Sequence, residues 1–340
     1  MPAMNLEEVA KRAGVSTATV SRVLNNIDVV KNTTRNKVLR AVEDLNYHPN
    51  LNARALAGGK SRTLGMIVSN LENPFFLDVF RSLEAAAHVQ GYEVVVGNTG
   101  YSPEQMIKHV RLMIGRRVDG LAVVVSELAS DLVEELSHSK IPTVFYDPGA
   151  KPKHFTSIRT NYRRSIERIV EYLHALGHNR LAFIGHHSSL GPISERERAF
   201  VETVTSYAPH TQYKTVADQD GLDGGRNAAR KLLATGFGPT AIICVNDFMA
   251  VGVLRELREQ GIRVPEDVSV TGFDNIKLSE YCYPPLTTVH IPRDQIGQMV
   301  FESLVAEKDS DSDGRELVLD PELVLRESTG AAPGAGRKRV

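Results

Sequence analysis

At 340 residues the chain is too long for one compact core, and length alone suggests two or three domains. Hydrophobic residues make up 42% and charged residues 24%, an ordinary globular composition with no apolar run near the roughly 20 residues that cross a bilayer. The net charge of −1 hides an asymmetry: residues 1–60 carry nine Lys/Arg against five Asp/Glu, a balance of +4, on an otherwise acidic chain, which suits a module that approaches phosphate.

The opening "MPAMNLEEVAKRAG" has no basic segment followed by an apolar one, so the expectation is a cytoplasmic protein. From about Leu6 to Tyr47 the pattern is helical. Leu6, Val9 and Ala10 share one face of a first helix, and Gly14 permits a tight turn. Ser16 caps a second helix over Thr17–Asn25, with Val20, Val23 and Leu24 facing inward. That leaves Thr17, Ala18, Ser21 and Arg22 facing outward, and Ser16, Thr19 and Asn25 flank the same surface. In a helix-turn-helix the second helix lies in the major groove. Small Thr17 and Ala18 suit a thymine methyl, and Arg22 suits a guanine edge. A third helix, "TTRNKVLRAVEDLNY", brings Val38, Ala41, Val42 and Leu45 to close the core, with Asn32 and Thr33 expected to cap it and touch phosphate.

Next comes "HPNLNARALAGGKS", about eight helix-capable residues between Pro49 and Gly58-Gly59. A helix this short is unstable alone in water and orders only when docked. After Ser61 the texture changes to short β-rich runs ("TLGMIVS", "YEVVVG", "GLAVVV", "PTVFY", "RLAFIG", "AIICV", "VSVTGF") alternating with amphipathic stretches. This predicts an α/β core of doubly wound parallel sheets behind an all-α headpiece, with length for two sheets and a cleft between them. Ligands bind such sheets at the carboxyl ends of strands, so Asp147, Asn246 and Asp274 are candidates, and Asp247 reads as a helix cap. Phe75 and Phe76 begin a helix at the cleft mouth and can stack on an apolar ring face. The acidic "EKDSDSDGRE" reads as a solvated loop, and "GAAPGAGRKRV" as a disordered tail.

Together "EEVAKRAGVSTATVSRVLNN", "TTRNKVLRAVEDLNYHPN" and "ARAL" resemble the headpiece and hinge of the lactose-repressor (LacI/GalR) family. The resemblance continues to about Thr329 through "TLGMIVSNLENPFF", "GHNRLAFIG", "NDFMAVGVLREL" and "GIRVPEDVSVTGFDN". It implies a periplasmic-binding-protein-like core of two α/β subdomains linked by three crossovers. The implied layout is a DNA-binding domain at 1–49, a hinge at 50–60, a core at 61–330 and a tail at 331–340. Within the core, an N-subdomain takes about 61–159 plus 291–320, and a C-subdomain about 160–290 plus 321–330.

In that family paired hinge helices enter the minor groove, which makes Leu56 the expected wedge between base steps. Ala53 then allows close helix approach, and Asn50 and Arg54 reach the sugar–phosphate wall. Arg196 matches an effector-contacting arginine. The implied partners are a pseudo-palindromic operator, a second copy of the chain, and a small-molecule effector, expected to be a sugar or sugar derivative. Two departures stand out: Thr160 where relatives often carry Asp, and "DQDGLDGG" where several carry a stacking aromatic, which leaves a smaller or more polar effector open. Induction and co-repression both stay open, with induction the default expectation.

Among other classes, an enzyme is disfavoured because GxSxG, Walker, GxGxxG and HExxH motifs are absent, and no cofactor or metal is expected. His174 and His178 have i,i+4 spacing but read as surface residues, and His186-His187 are weaker candidates for the cleft lining. Cys244 and Cys282 do not make a disulfide framework. A transport-type binding protein shares the core, but it needs an export signal and has no helix-turn-helix.

Overall fold

The computed structural model describes residues 5–24, 29–47, 61–125, 130–148, 155–187, 191–207, 210–306 and 314–334. The chain forms two compact units, residues 1–61 and 62–340.

The first unit holds α1 (Leu6–Ala13), α2 (Thr17–Leu24) and α3 (Asn32–Asp44). α1 starts at a capping box, in which Asn5 Oδ1 accepts from the Glu8 N–H and the Glu8 carboxylate from the Asn5 N–H. It stops at Gly14, whose φ of +66° lets the Val15 N–H fold back onto the Ala10 carbonyl at 3.0 Å. Val9, Ala10, Val20, Val23, Val38, Ala41 and Tyr47 are buried together at the centre of the three helices. Two expectations for α3 need correction. Asn32 already lies inside the helix, so the cap position falls on Lys31, whose side chain makes no cap hydrogen bond. The helix also ends at Asp44, because Asn46 turns left-handed (φ +45°) and Tyr47 donates back to the Val42 carbonyl at 2.9 Å.

The second unit contains two all-parallel sheets. β1 (Thr63–Val68), β2 (Glu93–Asn98), β3 (Gly120–Val124), β4 (Thr143–Tyr146), β5 (Thr156–Thr160) and β11 (Glu316–Leu319) pair in the order β11-β5-β4-β3-β1-β2. β6 (Arg180–His186), β7 (Gln212–Asp218), β8 (Ala241–Cys244) and β9 (Ser269–Thr271) pair as β7-β6-β8-β9. β10 (Thr288–His290) and β12 (Glu322–Val324) form a small antiparallel ribbon. The inner strands β3, β4 and β8, and the edge strand β9, are buried along their whole length, as expected where helices cover both faces of a parallel sheet.

The helices of this unit are α4 (Pro74–Val89), α5 (Pro103–Gly115), α6 (Ser130–Ser139), α7 (Tyr162–Ala175), α8 (Gly191–Tyr207), α9 (Leu222–Ala234), α10 (Asp247–Glu259), α11 (Leu278–Tyr281) and α12 (Arg293–Val305). The chain passes from the larger sheet to the smaller after β5 and returns after β10, where α12 packs on α4. It leaves again after β11, which makes three crossovers. α9 and α10 approach closely: a Cβ on Gly225 would stand 2.1 Å from the Met249 carbonyl oxygen, and one on Gly252 would stand 2.0 Å from that of Leu222.

The start of the expected disordered tail is docked. Ala332 is buried and donates to the Leu176 carbonyl at 2.9 Å, while the Gly330 carbonyl accepts from His178 Nε2 at 3.0 Å. The same contact corrects the surface reading of His178, which is fully buried. His174 instead bonds the Thr211 hydroxyl at 2.7 Å. Residues 335–340 and most of the acidic stretch lie outside the described residues.

Candidate functional site

Two surfaces carry the candidate residues, one in each unit. On the first, Thr17, Ala18 and Arg22 are exposed along α2, and Thr19 and Ser21 are half-buried beside them. Ser16 caps the helix by accepting from the Thr19 N–H at 3.2 Å, and the two hydroxyls bond each other at 2.9 Å. Their hydrogen-bonding capacity is therefore partly committed within the protein. Asn32 and Thr33 are exposed at the start of α3. Asn25, Asn50, Ala53, Arg54 and Leu56 lie outside the described residues.

The second surface is a cavity at the carboxyl ends of the strands of both sheets. Asn73 caps α4 by accepting from the Phe75 N–H at 3.1 Å, and Pro74 opens the helix, which presents Phe75 and Phe76 to the cavity. Their rings meet edge to face at 5.3 Å, and Phe75 leans on Tyr146 at 5.9 Å. Tyr101, Tyr162 and His186 add further wall.

Arg196, on α8, projects between the rings of Tyr162 and Phe273, with its guanidinium carbon 4.3 Å from each centroid. Nη1 donates to the Val245 carbonyl at 2.6 Å, and Nη2 lies 3.8 Å from Asp274 Oδ1. Asp274 itself sits at φ +105°, a conformation costly for a non-glycine residue that the surrounding bonds must hold. Burial pushes its carboxyl up to about 7, against the opposing pull of Arg196 and Arg293. Burial also lowers His186, favouring its neutral form. Three buried polar atoms of the lining, His186 Nε2, Arg196 Nε and Asp274 Oδ1, have no hydrogen-bond partner among the described residues. Buried polar groups are normally paired, so these three atoms have hydrogen-bonding capacity left over that faces the cavity.

The cavity gathers Phe75, Phe76, Arg196, Asn246 and Asp274 but does not include Asp147 in its lining. Asp147 stands behind the wall, where Oδ1 accepts from the Thr160 N–H at 2.8 Å and Oδ2 from the Tyr162 hydroxyl. Burial raises it to about 6. Through the Tyr162 hydroxyl it braces one of the two rings that sandwich Arg196. Asn246, not Asp247, caps α10, accepting from the Met249 N–H at 2.7 Å. Asp247 is a buried tie: it accepts from the Thr288 hydroxyl at 2.6 Å and from the Ile276 N–H at 2.8 Å. Tyr101, Tyr146 and Tyr162 are lining residues that the sequence reading does not single out, although each lies within three residues of a strand terminus or begins a helix after one. Among the described residues no three His, Cys, Asp or Glu side chains are grouped to hold a metal ion, and no helix is long and apolar enough to cross a membrane.

Comparison with known proteins finds relatives of both units. Residues 5–50 match the model of bacterial regulatory proteins of the lacI family, and residues 170–329 match a periplasmic binding protein-like domain. The HTH-type transcriptional repressor PurR of Vibrio cholerae is 37% identical over 332 residues, covering 95% of this chain and 97% of that protein. The lac repressor dimer bound to operator and the anti-inducer ONPF superposes with a TM-score of 0.83 at 29% identity, covering 97% of this chain and 100% of that one. A LacI family regulator from Enterococcus faecium with bound ribose gives a TM-score of 0.71 at 26% identity, covering 79% and 99%. These relatives are regulators of transcription rather than enzymes. With a helix-turn-helix, a two-subdomain parallel-sheet core and a 37% identical relative along nearly its whole length, the chain belongs to the LacI family as a DNA-binding transcriptional repressor.

Proposed function

We propose that the chain represses transcription as a homodimer on a pseudo-palindromic operator, with its DNA affinity set by a small hydroxyl-bearing effector in the cavity. In this reading residues 1–49 bind DNA, 50–60 form the hinge with Leu56 as the minor-groove wedge, and the described core senses the effector. Arg22 reads a base edge from α2, and Asn32 and Thr33 touch phosphate. Such a regulator works in the cytoplasm.

The observation that carries the effector class is the trio of unpartnered atoms against aromatic rings. A hydroxyl both donates and accepts, so one placed near Arg196 Nε and Asp274 Oδ1 can serve both. An apolar sugar face then lies on Phe75 or Phe76. The ribose held by the Enterococcus faecium relative supports this class. Effector binding shifts the balance between core conformations, and through the hinge alters operator affinity.

The test is a thermal-shift screen of sugars, sugar phosphates and polyols, followed by operator selection with the wild type and Arg22→Ala. A ligand of the native state raises the melting temperature, and Arg22→Ala relaxes preference at one base pair by about 1–3 kcal/mol. No shift with any polyol would remove the effector class. Equal weakening on every duplex would make Arg22 a phosphate contact.

A further inference from the structure

We propose that Asp220 clasps the two subdomains together across the mouth of the cavity, and that release of this one carboxylate opens the cleft. The inference rests on the reading of the cavity as an effector site. Asp220 stands two residues beyond β7, in the smaller-sheet subdomain. Its Oδ2 accepts from Asn70 Nδ2 at 2.9 Å and from the Tyr101 hydroxyl at 2.8 Å. Both donors belong to the other subdomain, on the turns that follow β1 and β2. Oδ1 accepts from Asn246 Nδ2, on its own side, at 2.9 Å. One carboxylate therefore joins segments 150 and 119 residues away in the chain.

Each donor is held before Asp220 arrives. Asn70 Oδ1 is taken by the Glu72 N–H at 2.9 Å, and Asn246 Oδ1 by the cap of α10. Tyr101 follows Gly100 through two left-handed positions (φ +58° and +62°), and its N–H bonds Thr99 Oγ1 at 3.2 Å; its ring also meets that of His186, across the cleft, at 5.1 Å. Hydrogen bonds to an ionised acceptor are about twice as strong as neutral ones. Pre-positioned donors lose little further freedom on closing, so most of that strength goes into holding the cleft shut.

Two of the three donors, Tyr101 and Asn246, also line the cavity. A guest that bonds either one draws on groups that Asp220 uses. Occupancy of the cavity and closure of the cleft are therefore linked, and linkage of this kind is reciprocal. The chemistry also makes the clasp specific to a carboxylate. All three contacts are donors, so an amide at position 220 sets its own N–H2 against one of them.

Amide hydrogen exchange on the full-length, ligand-free protein tests the clasp. Tyr101→Phe removes one hydroxyl and Asp220→Asn the charge. Each is expected to speed exchange about tenfold in residues 70–76 and 219–225 together, as for loss of one charge-assisted bond. The double variant is expected to exchange no faster than the faster single one, because both changes break one unit. Tyr172→Phe, which removes a hydroxyl bonded to Thr329 away from the cavity, is expected to leave both segments unchanged. Acceleration confined to 219–225, additive effects, or an equal response to Tyr172→Phe would overturn the proposal. Tyr101→Phe changes a single atom and keeps the test open if an Asp220 variant folds poorly. Since no ligand is added, a cavity that binds no polyol would sink the effector reading while the exchange result stood.

Discussion

Asp274 shows how a single buried acid shapes both the site and its stability. Its ordinary value is 3.8, and burial raises it to about 7, so the folded protein holds this proton more tightly than the unfolded chain does. Such a group imposes no penalty below about pH 4, a growing one as pH rises, and the full one above about pH 7. Asp147, raised to about 6, acts with the same sign over a narrower window. Melting of Asp274→Asn from pH 4 to 8 is therefore expected to show a smaller decline with pH than the wild type, with Asp147 leaving part of the slope. Parallel curves would show that the Asp274 carboxyl does not titrate in this range. Arg196 is equally particular: its planar guanidinium fits between Tyr162 and Phe273 while bonding the Val245 carbonyl, a geometry that an ammonium does not reproduce.

At the scale of elements, the close crossing of α9 and α10 places Asp220 and Asn246 side by side. Gly225 and Gly252 make it possible, since any Cβ there meets backbone rather than a side chain that can rotate away. Gly252→Ala is expected to destabilise the core by about 1–3 kcal/mol in denaturant unfolding, through overpacking. Gly115 gives the contrast, lying in α5 where an added Cβ would meet nothing within 4 Å. Gly115→Ala is expected to leave stability unchanged or raise it by up to about 1 kcal/mol. A similar loss at both sites would show that space at the crossing is not what matters. Two arginines of α9 converge on the buried carboxylate of Glu256 on α10, Arg230 at 2.8 Å and Arg226 at 3.6 Å, which adds register to the packing.

At the scale of the whole molecule, the headpiece and the core have separate hydrophobic centres. The headpiece centre is small, and a domain of that size has little stability in reserve. Val20→Ala removes two buried methyl groups from it and is expected to cost about 2 kcal/mol. In calorimetry the headpiece transition falls while the core transition stays in place, and operator binding weakens without loss of effector binding. A matching fall in the core transition would show that the two units unfold as one.

Much of this architecture is readable along the chain. The cap at Ser16, the turn at Gly14 and the inward faces of α1 to α3 depend on residues within four positions of each other, so local periodicity reveals them. The buried strands β1, β3, β4, β6, β8 and β9 announce themselves as apolar runs. β5 ("TSIRT") and β7 ("QYKTVAD") escape such a reading because polar residues interrupt any apolar run, although the sheet buries much of β5 once it assembles. Without β7 there is no strand end on which to place Asp220. Asp147 and Asp247 are visible as acids at strand ends, yet their true partners, Tyr162 with Thr160 and Thr288 with Ile276, come from other segments. The chain's own order thus determined the helix-turn-helix, the α/β class and a minority of the cavity lining, Phe75, Phe76, Asn246 and Asp274 among it. Only the tertiary structure decided which acid faces the cavity, which one supports its wall and which one spans the cleft, because burial and pairing arise where distant segments meet.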